Sequence, residues 1–134
     1  MCDNECQNCI GDVLQTILTL QKRETPGCED DTCTRPFLGP NPTTLCFNTR
    51  PIMLYLCNNE PVTLNYTNLE GITDTTNVFR VESVTNDSVG VLLLEESTDA
   101  TGNTTYTSTN TYATINLDCI CAIRCLNDTI VNNI

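Results

Sequence analysis

The sequence predicts an all-β fold, a β-sandwich of about six to eight strands, with one N-terminal amphipathic helix. Three observations carry this. Short apolar or alternating runs recur along the chain with turn residues between them. The polar residues are mainly Thr (23) and Asn (16), which suit strands and turns better than helices. Only one segment has helical periodicity, and it lies near the start.

Residues 1–9 read as a polar, Cys-rich N-terminal arm, and residues 10–134 as a single domain. The helix is expected over about residues 10–24, where Ile10, Val13, Leu14, Ile17, Leu18 and Gln21 fall at i, i+3, i+4, i+7 spacing. Asp12 near its start and Lys22 and Arg23 near its end match the macrodipole, and Pro26-Gly27 stops it. Residues 27–49 are rich in loop-forming Pro and Gly. Ile52–Cys57 is apolar on both faces and predicts a buried strand, with Val62–Tyr66 as its hairpin partner across Asn58–Pro61.

Asn68–Asn77 reads as a polar loop, followed by a strand at Val78–Val84, a turn at Asn86-Asp87 and a core strand at Val89–Leu94. After a loop over Ser97–Thr105, Tyr112–Leu126 reads as one long central strand. There Ala113, Ile115 and Leu117 alternate with polar residues, and continuing the count puts Cys119 and Cys121 in the apolar row.

Charge narrows the function. Six Lys and Arg against 17 Asp and Glu leave a net charge of −11. Nucleic acid and anionic membranes would be repelled by such a surface, so neither is an expected partner. No histidine is present, which removes the commonest general base and metal ligand. No nucleophile with a recognisable base and no glycine-rich phosphate loop occurs, so no catalytic residue and no cofactor is expected.

Ten cysteines are the dominant chemical feature. The first nine residues lack the basic and apolar regions of a signal peptide, so synthesis in the cytoplasm is expected, with oxidation met later. Four Asn-x-Ser/Thr sequons, at Asn65, Asn86, Asn103 and Asn127, are what a chain rich in Asn and Thr contains by chance. Cys2, Cys6 and Cys9 have the spacing of a cluster-binding loop but lack the large barrel that such a loop needs behind it. Cys28, Cys33, Cys46 and Cys57 could form a four-thiolate zinc site, though without paired C-x2-C knuckles. A cysteine-thiolate metal-binding module is therefore the alternative reading.

The acidic runs Glu29-Asp30-Asp31 and Glu95-Glu96 lack the spacing of a calcium loop. Cys2, Cys6, Cys9, Cys28 and Cys33, in polar segments, are candidates for intersubunit disulfides. Cys46, Cys57, Cys119, Cys121 and Cys125 are candidates for the core or for intramolecular bonds. Cysteines on one face of a strand diverge, so natural partners of the last three lie on another strand, on the helix arm or on another molecule.

Arg35–Gly39, Asn48–Tyr55, Phe79–Val84 and Asp118–Leu126, together with the Cys-rich arm leading into a helix, resemble the CotY/CotZ/ExsY family of spore coat and exosporium proteins. The resemblance implies a non-enzymatic structural protein made in the mother-cell cytoplasm without a signal peptide. It implies self-assembly, in some members hexameric, into a disulfide-crosslinked two-dimensional lattice at the spore surface, with other coat or exosporium proteins as partners. Family members often carry histidines near the N-terminus. Their absence here weakens a metal-linked role for the arm.

Overall fold

The computed structural model describes residues 9–22, 47–68 and 70–131. Cys2, Cys6, Cys28, Cys33 and Cys46 lie outside the described residues. Among the described residues the fold is mostly β, seven strands in two sheets, with a single helix at the N-terminal end.

Helix α1 spans Cys9–Lys22. Leu14, Ile17 and Leu18 are its buried residues, with Asp12 in the first turn and Lys22 in the last. Val13, expected on the inner stripe, is instead 41% exposed. The inner face is completed by Gln21, whose Nε2 donates to Val81 O at 2.8 Å while its Oε1 accepts from Arg50 N at 3.1 Å.

The larger sheet is antiparallel, with strands β1 (Ile52–Leu56), β4 (Phe79–Val84), β5 (Ser88–Thr98), β6 (Thr104–Asn116) and β7 (Ile120–Cys125) in the order β6-β5-β4-β1-β7. The smaller one is a hairpin of β2 (Leu64–Thr67) and β3 (Thr73–Thr76). Alternation sorts the large sheet into two faces. Ile52, Leu54, Phe79, Val81, Val89, Val91, Leu93, Ile115 and Ile120 form the main core with Leu14, Ile17, Leu18 and Tyr66. Each fully buried side chain of this kind is worth about 1.5–3 kcal/mol relative to exposure. On the opposite face Val78, Leu92, Leu94 and Val131 form a smaller cluster, with Met53, Tyr106 and Leu126 against it.

Two sequence expectations change. Val62–Tyr66 is not a full partner of β1: contact there is one bridge, Tyr55 to Pro61, and a bond from Val62 N to Leu54 O. Its residues from Leu64 pair instead with β3, inside the stretch expected to be loop. Thr-Asp-Thr-Thr has strand propensity but no apolar alternation to reveal it.

The second change is larger. The expected single strand Tyr112–Leu126 is two strands at opposite edges of the sheet, separated by a 3-10 turn at Leu117–Cys119. Asn116 caps the turn by accepting from Asp118 N at 3.0 Å. The four Cα steps from β6 to β7 reach at most about 14 Å, whereas four strand spacings would measure about 19 Å across a flat sheet. The sheet must therefore curl. It opens where β4 and β1 meet through the single pair Ile52–Phe79, and it wraps around α1, which touches β4, β5 and β7.

Behind β1, the chain after β7 runs back along residues 48–51. Thr129 bridges Thr49, Leu126 N donates to Pro51 O, and Asn48 exchanges side-chain bonds with both backbone groups of Val131. Arg80, on the same face, donates to Thr49 Oγ1 at 2.9 Å, to Asn48 O at 3.2 Å and to Glu82 Oε1 at 2.6 Å.

Candidate functional site: the cysteine edge at strand β7

Among the described residues, strand β7 is an edge strand paired only with β1. The register runs Ile52–Cys125, Met53–Arg124, Leu54–Ile123 and Tyr55–Ala122, then slips so that Leu56 faces Ile120. Cys121 is the extra residue of this bulge. It forms a disulfide with Cys57, the residue just past β1, at a Cα separation of 4.9 Å. That lies within the usual disulfide range of about 4.4–6.8 Å. Both cysteines are exposed.

The bulge and the 3-10 turn reset the alternation. Ile120 is 1% exposed and faces the core, and Cys119 does not. Cys119 and Cys125, expected in the core or in intramolecular bonds, are exposed free thiols. Cys57 Sγ lies 4.0 Å from Cys119 O, so Cys57, Cys119 and Cys121 gather at one end of β7, and Cys125 stands at the other. Cys9, expected between subunits, is the first residue of α1 and is disulfide-bonded.

Beside Cys125, Arg50 Nε donates to Asp128 Oδ1 at 2.7 Å and its Nη2 donates to Oδ2 at 3.0 Å. This two-pronged contact holds the Asp128 carboxyl below its ordinary value and raises Arg50, with smaller opposing effects from burial. Sequence reading missed this pair because its members lie 78 residues apart with no local signal. The Cys57–Cys121 pairing was equally unreadable from spacing, since ten cysteines allow many connectivities.

Glu95 and Glu96 line a shallow groove of about 200 Å³ with Tyr66, Asp74, Thr75 and Thr76. The Tyr66 hydroxyl is pushed up by burial and then by Glu95 and Asp74. Among the described residues no three Cys, Asp or Glu side chains stand close enough to hold a metal ion. Glu29, Asp30 and Asp31 lie outside the described residues, as do three cysteines of the four-thiolate set. No helix among the described residues is long and apolar enough to cross a membrane.

No curated protein and no solved structure matches the chain. A family model described as Spore coat protein Z matches residues 2–108, a span that includes α1 and β1 to β5 and ends within β6, before Asp118–Leu126. That match covers most of the sequence, and it agrees with the Cys-rich, β-structured chain: the protein belongs to the spore coat protein Z family.

Proposed function

We propose that this chain is a non-enzymatic building block that self-assembles into a disulfide-crosslinked two-dimensional lattice in the spore coat or exosporium. The family carries the coarser statement, a structural role in the spore coat at the spore surface. The observation that carries the finer one is the placement of two free thiols, Cys119 and Cys125, on the open edge at β7, where a neighbouring copy can reach them. Cys2, Cys6, Cys28 and Cys33 join them as candidate rivets between subunits. Hexameric rings, extended into sheets, are the assembly we expect, with other coat or exosporium proteins as further partners.

Synthesis in the mother-cell cytoplasm without a signal peptide keeps the thiols reduced until oxidant reaches the assembled layer. Self-repulsion from a net charge of −11 opposes association, so salt or divalent cations promote ordering. Negative-stain microscopy of the purified protein, paired with non-reducing and reducing gels, tests this. Sheets, rings or discs, with ladders that collapse in reductant, are expected. A monodisperse monomer across salt and redox conditions would sink the reading.

A further inference from the structure

Strand β6 is the outer strand at the other edge of the curled sheet, paired with β5 on one side and, among the described residues, with no strand on the other. Its thirteen residues, Thr104–Asn116, include no charged residue and no proline. Natural edge strands are usually protected by charge, proline, short length or a bulge. Here only the last is present. The register slips between Leu92 and Leu94, and Asn110 at φ 58° takes the left-handed conformation at the kink.

The sequence of this edge reads almost the same in both directions. About Thr109, Tyr106-Thr-Ser-Thr-Asn-Thr-Tyr112 is symmetric except that Ser108 mirrors Asn110. Tyr106, Ser108 and Tyr112 sit opposite Glu96, Leu94 and Leu92, so all three share one face. Tyr106 leans on the Val78–Leu92–Leu94 cluster, whereas Tyr112 is 63% exposed.

We propose that β6 is a self-pairing edge, and that its partner is the β6 strand of a second copy, antiparallel about a two-fold axis at Thr109. The pairing rests on the self-association reading above, but it needs no disulfide. In this register Tyr106 of each copy faces Tyr112 of the other, Thr107 faces Thr111, and Thr104 faces Thr114. Aromatic and Thr–Thr cross-strand pairs are among the favourable ones. An isologous contact requires a self-complementary patch, which a palindromic strand supplies.

The kink selects the same occupant. An unrelated straight strand meets an irregularity at Asn110, while a second copy brings an equal one to the symmetric place across the axis, opposite Ser108, and so fixes the register. Charge points the same way. On a chain of net −11, an edge of thirteen uncharged residues is a place where two copies approach with little repulsion.

The test is a charge swap at two exposed positions, Thr104 and Thr114, read by sedimentation equilibrium in reductant so that disulfides play no part. The parent protein is expected to dimerise. The T104K/T114K variant places like charges opposite each other twice per dimer and is expected to weaken association by roughly tenfold or more. The T104K/T114E variant places opposite charges there and is expected to restore it, with unchanged melting of both variants confirming that the fold survives. A parent that is monomeric in reductant, a T104K/T114K variant that associates as the parent does, or a T104K/T114E variant that stays weak would each overturn the proposal. Oxidised sheets that form equally in the parent and in T104K/T114K would overturn β6 pairing and leave the disulfide-riveted layer standing.

Discussion

Cys57 and Cys121 staple β1 to β7 at the bulge where Cys121 has no ladder partner of its own. The bond closes a loop of 64 residues that contains β2 to β6. It thus ties the curled sheet shut across the seam where β7 must return to β1.

Closing a loop of this length lowers the entropy of the unfolded chain, by the loop-entropy relation, by an amount worth roughly 4 kcal/mol. The C57S/C121S variant is therefore expected to melt well below the oxidised parent in thermal denaturation followed by circular dichroism. The reduced parent, which loses the bond at Cys9 as well, should melt at or below the variant. Equal melting of the oxidised parent and the variant would mean that the strands need no staple.

Arg50 and Asp128 fasten the chain after β7 to the segment before β1. Both side chains are 36% exposed, so the pair is worth no more than about 1 kcal/mol. Its sign with pH is fixed by the depressed Asp128 carboxyl. The stabilisation is present above the unfolded aspartate value of about 3.9 and is lost as pH falls through the lower folded value. Asp128→Asn should speed amide exchange at Thr129 and Val131 at neutral pH. The difference from the parent should shrink once the medium is acid enough to protonate Asp128 in the folded protein. A gap that persists unchanged in acid would assign the effect to something other than this ion pair.

Much of the fold was legible because its elements write their burial into a simple period. The 3.6-residue stripe marked α1, and apolar runs marked β1, β4 and β5, each of which buries residues against the core. β3 was not legible, because Thr73–Thr76 is largely exposed and owes its place to pairing with β2. The cysteines were half legible. That Cys119, Cys121 and Cys125 do not bond one another followed from geometry. Which of them is bonded depends on a phase reset at Leu117–Cys119 and on a bulge, and both are set by tertiary closure rather than by local sequence.

Gly90 shows how tightly β4 and β5 meet at their own bulge. A Cβ at this position would fall far inside contact with Ser83 Oγ, while Ser83 Cβ and N stand at 3.7 and 3.9 Å. Ser83 is exposed and its hydroxyl can rotate away, so Gly90→Ala should cost no more than about 1 kcal/mol. Because the hydroxyl alone is the obstacle, adding Ser83→Ala should recover most of the loss. Chemical denaturation of the two single variants and the double variant measures the coupling. Additive losses would show that backbone strain, rather than the Ser83 hydroxyl, excludes the side chain.

The phase of β7 is the point on which the edge chemistry turns. Continued alternation from Ile115 would bury Cys119, yet Ile120 is the residue that packs with Ile52, Leu54 and Phe79 in the core. Ile120→Ala removes a fully buried side chain and should cost about 2–5 kcal/mol. Cys119→Ala, at an exposed position, should stay within about 0.5 kcal/mol. In the folded, non-reduced parent, alkylation should label Cys119 and Cys125, and Cys57 and Cys121 should react only after reduction. If Cys119 resists alkylation in the folded monomer and its replacement destabilises as much as that of Ile120, the strand has the opposite phase. The thiol would then face the core and be unable to reach a neighbouring subunit.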